Sequence, residues 1–184
     1  MIVRGVATAA STDLKEDRVP TIDELLLTAS RNASDHATEG IPAPPSRHVV
    51  IVTCMDARVE PFALFGLEPG QAHVMRNAGG VVTDDIIRSL AISQRQLGTR
   101  EILVMHHSAC GMTTFSDDAY RAQIEEETGI RPPWSAEAFA DATEDVRQSM
   151  RRILASPFIP HRDHVRGAVL DVADGTLREV TLEG

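Results

Sequence analysis

Apolar residues in this chain of 184 residues fall into two kinds of pattern. Short continuous runs rich in β-branched residues, HVVIVT at 48–53, AHVM at 72–75 and EILVM at 101–105, suit strands buried on both faces of a parallel sheet. Between the second and third runs, Ile86, Ile87, Leu90, Ala91 and Leu97 recur at helical spacing. Thr83 is placed to cap that helix, Asp84 and Asp85 complement its first turn, and Gly98 stops it. Strand, helix and strand then form a βαβ crossover.

The flanking patterns extend this reading. Thr21 and Glu24 make a capping-box pattern ahead of a Leu run, predicting a helix from Thr21 into the mid-thirties, after a polar arm over residues 1–20. The Pro-rich GIPAPPS at 40–46 is a connector that cannot be helical. Ser116 starts a helical segment that Gly129 ends, and a longer one over about 136–154 places Val146, Met150, Ile153 and Leu154 on one side before Pro157. VRGAVLDV, ADG and TLREVTL read as strand, turn and strand. The fold class is α/β, with a mostly parallel central sheet flanked by helices and an N-terminal helical arm. Residues 1–45 form the arm and its helix, and residues 46–184 form one α/β domain. No internal repeat or low-complexity tract is present.

Composition narrows the function classes. A 42% hydrophobic content supports a real core, and a net charge of −9 argues against a phosphate-tracking nucleic-acid binder, which needs clustered Lys and Arg. The small apolar patch GVATAA is shorter than a secretory core of about 7–15 residues, and no run approaches the roughly 18 apolar residues of a membrane span. The expectation is a soluble, cytoplasmic protein.

Its chemistry gathers around two cysteines. Cys54 follows the first strand, and His107 and Cys110 follow the third. Residues at the carboxyl ends of parallel strands converge on one crevice. Two thiolates and an imidazole suit zinc in tetrahedral geometry with a fourth place open. The alternatives are two inert buried thiols or a disulfide. Asp56 and Arg58, two residues apart on an extended stretch, face the same side and can pair beside that crevice. The plain alternative is a solvated ion pair. His106 is either a proton relay or a structural histidine, since it points opposite to His107. His73 and His48 are weighed in the same way. Phe62 and Phe65 either line a dry pocket or pack in the core. Arg76 and Asn77 stabilise the loop or the Asp–Arg pair, with a structural role the simpler reading.

Cys-x-Asp-x-Arg (Cys54, Asp56, Arg58), followed by His-x-x-Cys-Gly (His107, Cys110, Gly111) with GLEPGQAHVMRNAGG between them, resembles the β-class carbonic anhydrases. The likeness is strong over residues 46–115 and looser beyond. It implies zinc held by Cys54, His107 and Cys110, Asp56 and Arg58 as a catalytic dyad, and reversible hydration of carbon dioxide to bicarbonate and a proton through zinc-bound hydroxide. It further implies a homodimer or higher homo-oligomer whose N-terminal helix reaches over the partner. Gln71 and His73 stand where many members carry an acidic residue and Phe, and Arg76-Asn77-Ala78-Gly79-Gly80 stands where they read Arg-Asn-x-Ala-Asn. Leu90 to Ser93 replace a Glu- or Gln-Tyr pair. The sequence is also similar to carbon disulfide hydrolases, so hydrolysis of carbon disulfide or carbonyl sulfide is the alternative activity. A non-catalytic zinc-stabilised binding protein, with Asp56 as permanent fourth ligand, is the alternative from another class.

Overall fold

The computed structural model describes residues 21–183. The residues divide into two compact units, one ending at Glu39 and one beginning at Gly40. The first contains helix α1, Thr21–Arg31, with Asp23 and Glu24 in its first turn and Arg31 in its last, as the helix dipole favours. It stops short of the mid-thirties; a single 3-10 turn at Ala33–His36 follows. The polar arm at 1–20 lies outside the described residues.

The second unit is built on a five-stranded sheet in the order β2-β1-β3-β4-β5. Strand β1 (Val49–Cys54) lies between β2 (Ala72–Asn77) and β3 (Glu101–His107), and β4 (Val165–Leu170) pairs with β3; all of these pairs are parallel. Strand β5 (Leu177–Val180) pairs antiparallel with β4 across a turn in which the Asp171 N–H donates to Thr176 O and the Thr176 N–H to the Asp174 carboxylate. Helix α3 (Asp84–Leu97) makes the β2–β3 crossover. Its Thr83 hydroxyl accepts from the Ile86 N–H, and Gly98 closes it at φ 72°.

Alternation along β1 divides the core. Val50 and Val52 face a cluster with Ile86 and Leu90 of α3 and with Val146, Met150 and Ile153 of α5 (Ala142–Ala155). Ile51 faces Leu67 and Ala72 on the other side of the sheet, where Phe62 and Phe65 pack against the same cluster. Those two phenylalanines belong to the short helix α2 (Pro61–Phe65), which sequence patterning does not predict because five residues carry too little periodicity. Helix α4 (Asp117–Thr128) has Ser116 as its cap and no buried residue.

The helix expected from 136 begins six residues later. Asp141 caps α5 by accepting from the Thr143 and Glu144 amides, while the Ala138 amide donates instead to Asp117 Oδ1 at 2.8 Å. Competition from a distant carboxylate for main-chain donors overrides local helix propensity here. Among the described residues no helix is long and apolar enough to cross a membrane.

Candidate metal centre

Cys54 is the last residue of β1, one position further into the strand than its sequence neighbours indicate, and pairs with Asn77 of β2. His107 is the last residue of β3, and Cys110 lies three positions beyond it. Their donor atoms lie within 4.8 Å of one another, so the three could hold a metal ion. All three are buried, at 4%, 1% and 3% exposure. The two sulfurs are 3.9 Å apart and the cysteines are free, which sets the disulfide alternative aside.

The tautomer of His107 follows from its partner. Nδ1 donates to the Ser108 carbonyl at 2.9 Å, leaving Nε2 as a bare acceptor. Nε2 is buried without a hydrogen-bond partner among the described residues, close enough to the Cys54 sulfur to stabilise its thiolate but forming no bond to it, a cost that a metal ion would remove. The donor set therefore fits zinc, both in softness and in the direction of the free lone pair.

Electrostatics at the site are tightly linked. Burial would push the Cys54 thiol up, but the adjacent His107 imidazole and hydrogen bonds from the Asp56 and Gly79 amides outweigh it and lower the thiol to about 7. Burial raises Cys110 to about 11, reinforced by the charge on Cys54. The interaction with Cys54 raises His107. Without a cation, two thiolates this close repel each other, and only one forms readily.

Asp56 and Arg58 do not lie on an extended stretch. They sit in a turn closed by the Val59 N–H donating to Asp56 O at 3.0 Å, and the turn brings them together more firmly than alternation would. Arg58 Nε and Nη2 donate to Asp56 Oδ1 and Oδ2 at 2.9 and 2.7 Å, and the Arg58 amide adds a third bond at 2.9 Å. These donors hold the Asp56 carboxyl well below the usual carboxylate range. Arg58 Nη2 also donates to Ala109 O at 3.0 Å, tying the pair to the His107–Cys110 loop, where Ala109 adopts φ 51°. Asp56 Oδ2 lies 3.7 Å from His107 Nε2, so the carboxylate borders the donor cluster.

The remaining sequence candidates separate. His106 Nε2 donates to Asp145 Oδ2 at 2.7 Å in a fully buried pair, and its ring stacks on Phe139. His73 Nδ1 lies 2.8 Å from Ser93 Oγ, and His48 Nδ1 donates to Gly98 O at 3.0 Å. Phe62 and Phe65 line neither cavity near the cysteines. Sequence reasoning misses the walls of the crevice. Met55, Ala78, Met112 and Phe115 border both a cavity of about 290 Å³ against Cys54 and Cys110 and a larger one of about 620 Å³ that reaches Tyr120 and Trp134. No spacing signal marks these residues, because they come from three separate segments and are ordinary apolar types.

Two thiols and an imidazole at the carboxyl edge of a mostly parallel sheet make this an α/β metalloprotein of the zinc type. Residues 49–177 match the family described as carbonic anhydrase. The sequence is 60% identical over 141 residues to beta-carbonic anhydrase 1 of Mycobacterium tuberculosis, covering 77% of this chain and 86% of that protein. It is 37% identical over 112 residues to a carbon disulfide hydrolase of an Acidianus strain, covering 60% of this chain and 54% of that one. The solved carbonic anhydrase of Streptococcus mutans superposes with a TM-score of 0.83 at 39% identity, covering 89% of this chain and 99% of that chain. The chain belongs to the β-carbonic anhydrase family, as its motifs imply. It is accordingly an enzyme of the carbonate dehydratase type, a lyase, with zinc as cofactor.

Proposed function

We propose that the protein hydrates carbon dioxide reversibly to bicarbonate and a proton, with zinc held by Cys54, His107 and Cys110 and with Asp56 and Arg58 as the catalytic dyad. The observation that carries this reading is the buried, unpartnered Nε2 of His107 between two free thiols, while the nearest carboxylate is fully engaged by Arg58. When bound, zinc would supply the Lewis acid that makes water nucleophilic near neutral pH. Asp56, kept ionised by Arg58, accepts the hydrogen of the attacking water and aims its lone pair at the carbon. Arg58 orients that carboxylate and, through Ala109 O, keeps it in register with the loop bearing His107 and Cys110. The apolar walls formed by Met55, Ala78, Met112 and Phe115 suit an uncharged linear substrate and offer bicarbonate little to hold.

Stopped-flow hydration of carbon dioxide on zinc-quantified protein, beside Cys110→Ser, tests the proposal. Equal rates, or full activity in protein without zinc, would overturn it. The apolar walls and the Acidianus relative favour one alternative, hydrolysis of carbon disulfide or carbonyl sulfide, and sulfide release distinguishes it. A closed structural zinc site with Asp56 as permanent ligand fits poorly with a carboxylate that already accepts three bonds from Arg58.

The same reading includes a homo-oligomer. Helix α1 exposes Ile22, Leu25, Leu26 and Leu27 at 55–70%, an apolar face that a second copy of the chain would cover. Sedimentation velocity on the intact chain and on Leu25→Glu/Leu26→Glu checks this; an unchanged sedimentation coefficient would remove it.

A further inference from the structure

Arg76 lies on β2, the edge strand, opposite Thr53. A charged residue on a sheet edge ordinarily keeps the edge from pairing with other chains and points into water. Arg76 is exposed as well, but its guanidinium turns back onto the end of the neighbouring strand. Its Nε donates to Cys54 O at 3.0 Å and its Nη2 to Asp56 O at 2.7 Å. Among the described residues no carboxylate lies within ion-pair distance of it, so its two close partners are main-chain carbonyls, one in the first ligand residue and one in the dyad acid. The next residue completes the arrangement, with Asn77 O accepting the Met55 N–H at 2.8 Å.

Two guanidinium bonds from Arg76 and one main-chain bond to Asn77 thus tie the turn at 54–56 to two consecutive residues of β2. That turn decides where the Asp56 carboxylate points. Its side chain is held by Arg58, its carbonyl is held by Arg76 and by the Val59 amide, and its own N–H donates to Cys54 Sγ at 3.4 Å. With Oδ2 only 3.7 Å from His107 Nε2, a small rotation of the turn would carry the carboxylate from Arg58 toward the donor cluster. Charge-assisted bonds from a planar guanidinium to two carbonyls resist that rotation, because both must break together.

We propose that Arg76 is a positioning residue, whose clamp on the Cys54 and Asp56 carbonyls keeps the Asp56 carboxylate on Arg58 and out of the metal's fourth place. The proposal rests on the reading of Cys54, His107 and Cys110 as the metal ligands. It concerns the geometry of the site and not a contact with substrate.

The test is the visible absorption spectrum of the enzyme with cobalt in place of zinc, which reports the ligands around the metal, recorded for the wild type, Arg76→Gln and Arg76→Lys. Arg76→Gln is expected to shift the cobalt bands and lower the zinc-normalised kcat about tenfold or more. Adding Asp56→Asn to it is expected to abolish the spectral shift. Arg76→Lys, which can make one of the two bonds, is expected to fall between wild type and Gln in both readouts, and it serves alone if the Gln variant does not fold. A cobalt spectrum identical to wild type in these variants overturns the proposal whatever happens to the rate, as does a shift that persists with Asp56→Asn. A wild type that binds cobalt through the three ligands yet does not hydrate carbon dioxide would remove the proposed function while leaving this comparison able to judge Arg76.

Discussion

Gly79 and Gly80 offer a test of how the fold holds the site, because they share a backbone conformation and differ in what surrounds them. Their φ values are 79° and 76°, so an alanine at either position carries the same left-handed penalty of about 1–2 kcal/mol. At Gly79 an added Cβ meets side-chain atoms of Phe139, Val81 and Met112 at 3.0–3.1 Å, and these can give by a few tenths of an ångström. At Gly80 it meets Cys54 N and Thr53 C at 2.8 Å and Thr53 Cα at 3.1 Å, all backbone of a central strand. Strand β1 is hydrogen-bonded on both sides and cannot shift alone, so Gly80→Ala adds an overpacking cost of about 2 kcal/mol. The expected totals are about 1–2 kcal/mol for Gly79→Ala and about 3–4 kcal/mol for Gly80→Ala. For a chain of this size each kcal/mol lowers the melting temperature by about 2–4 °C, so Gly80→Ala should melt on the order of 10 °C below wild type. The displaced backbone is that of Cys54, and zinc affinity should therefore fall in Gly80→Ala more than in Gly79→Ala. Calorimetry of zinc-loaded and chelator-treated protein, with chelator competition for affinity, measures both effects. If Gly80→Ala is no less stable than Gly79→Ala and binds zinc equally, the argument that this glycine lets the loop close against β1 is refuted.

Other outcomes follow from the same site and core. Zinc affinity should rise with pH. Above about pH 7 Cys54 is already ionised while Cys110, at about 11, must still lose its proton to bind, so affinity should climb about tenfold per pH unit there and more steeply below; a flat competition series from pH 6 to 9 would contradict this. Asp56→Asn, which keeps the shape but not the charge, should lower kcat by about 10²-fold or more with zinc content unchanged, and an equally active variant would remove Asp56 from the chemistry. Because the folded pKa of Asp56 is depressed, its pairing with Arg58 stabilises above the ordinary carboxylate pKa of about 4 and is lost as pH falls through the folded value; Asp56→Asn should flatten the acid limb of urea midpoints below that pH. Gly167→Ala should destabilise by about 1–3 kcal/mol, since its Cβ would meet Val146 Cγ1 at 2.5 Å and the Met150 thioether at 2.9 Å, and truncating Met150 to Ala in the same chain should recover part of the loss by urea denaturation.

Much of this protein can be read from local sequence, for a physical reason. The β-branched runs at 48–53, 72–75 and 101–105 become β1, β2 and β3 within a residue or two, because backbone preference and burial on both faces act on consecutive residues. Thr83, Ser116, Gly98 and Gly129 mark helix ends because a cap satisfies the chain a few residues away. The donor set Cys54, His107 and Cys110 could be proposed from the rule that strand ends converge, and the family from two spaced motifs. Tertiary structure decided what depends on residues far apart. Cys54 and Cys110, 56 positions apart, reach 3.9 Å only because β1 and β3 are neighbours in parallel register. The start of α5 was set by Asp117, which takes the amides at 137 and 138 out of any helix. The Asp56–Arg58 pairing was legible as a spacing of two but came from a turn rather than a strand. Sequence offers Arg76 as a support for the loop or the Asp–Arg pair but not the carbonyls it reaches, and the apolar walls around the crevice have no local signature, since a guanidinium reaching two carbonyls across a sheet and methionines meeting from separate loops are properties of packing, which sequence periodicity does not encode.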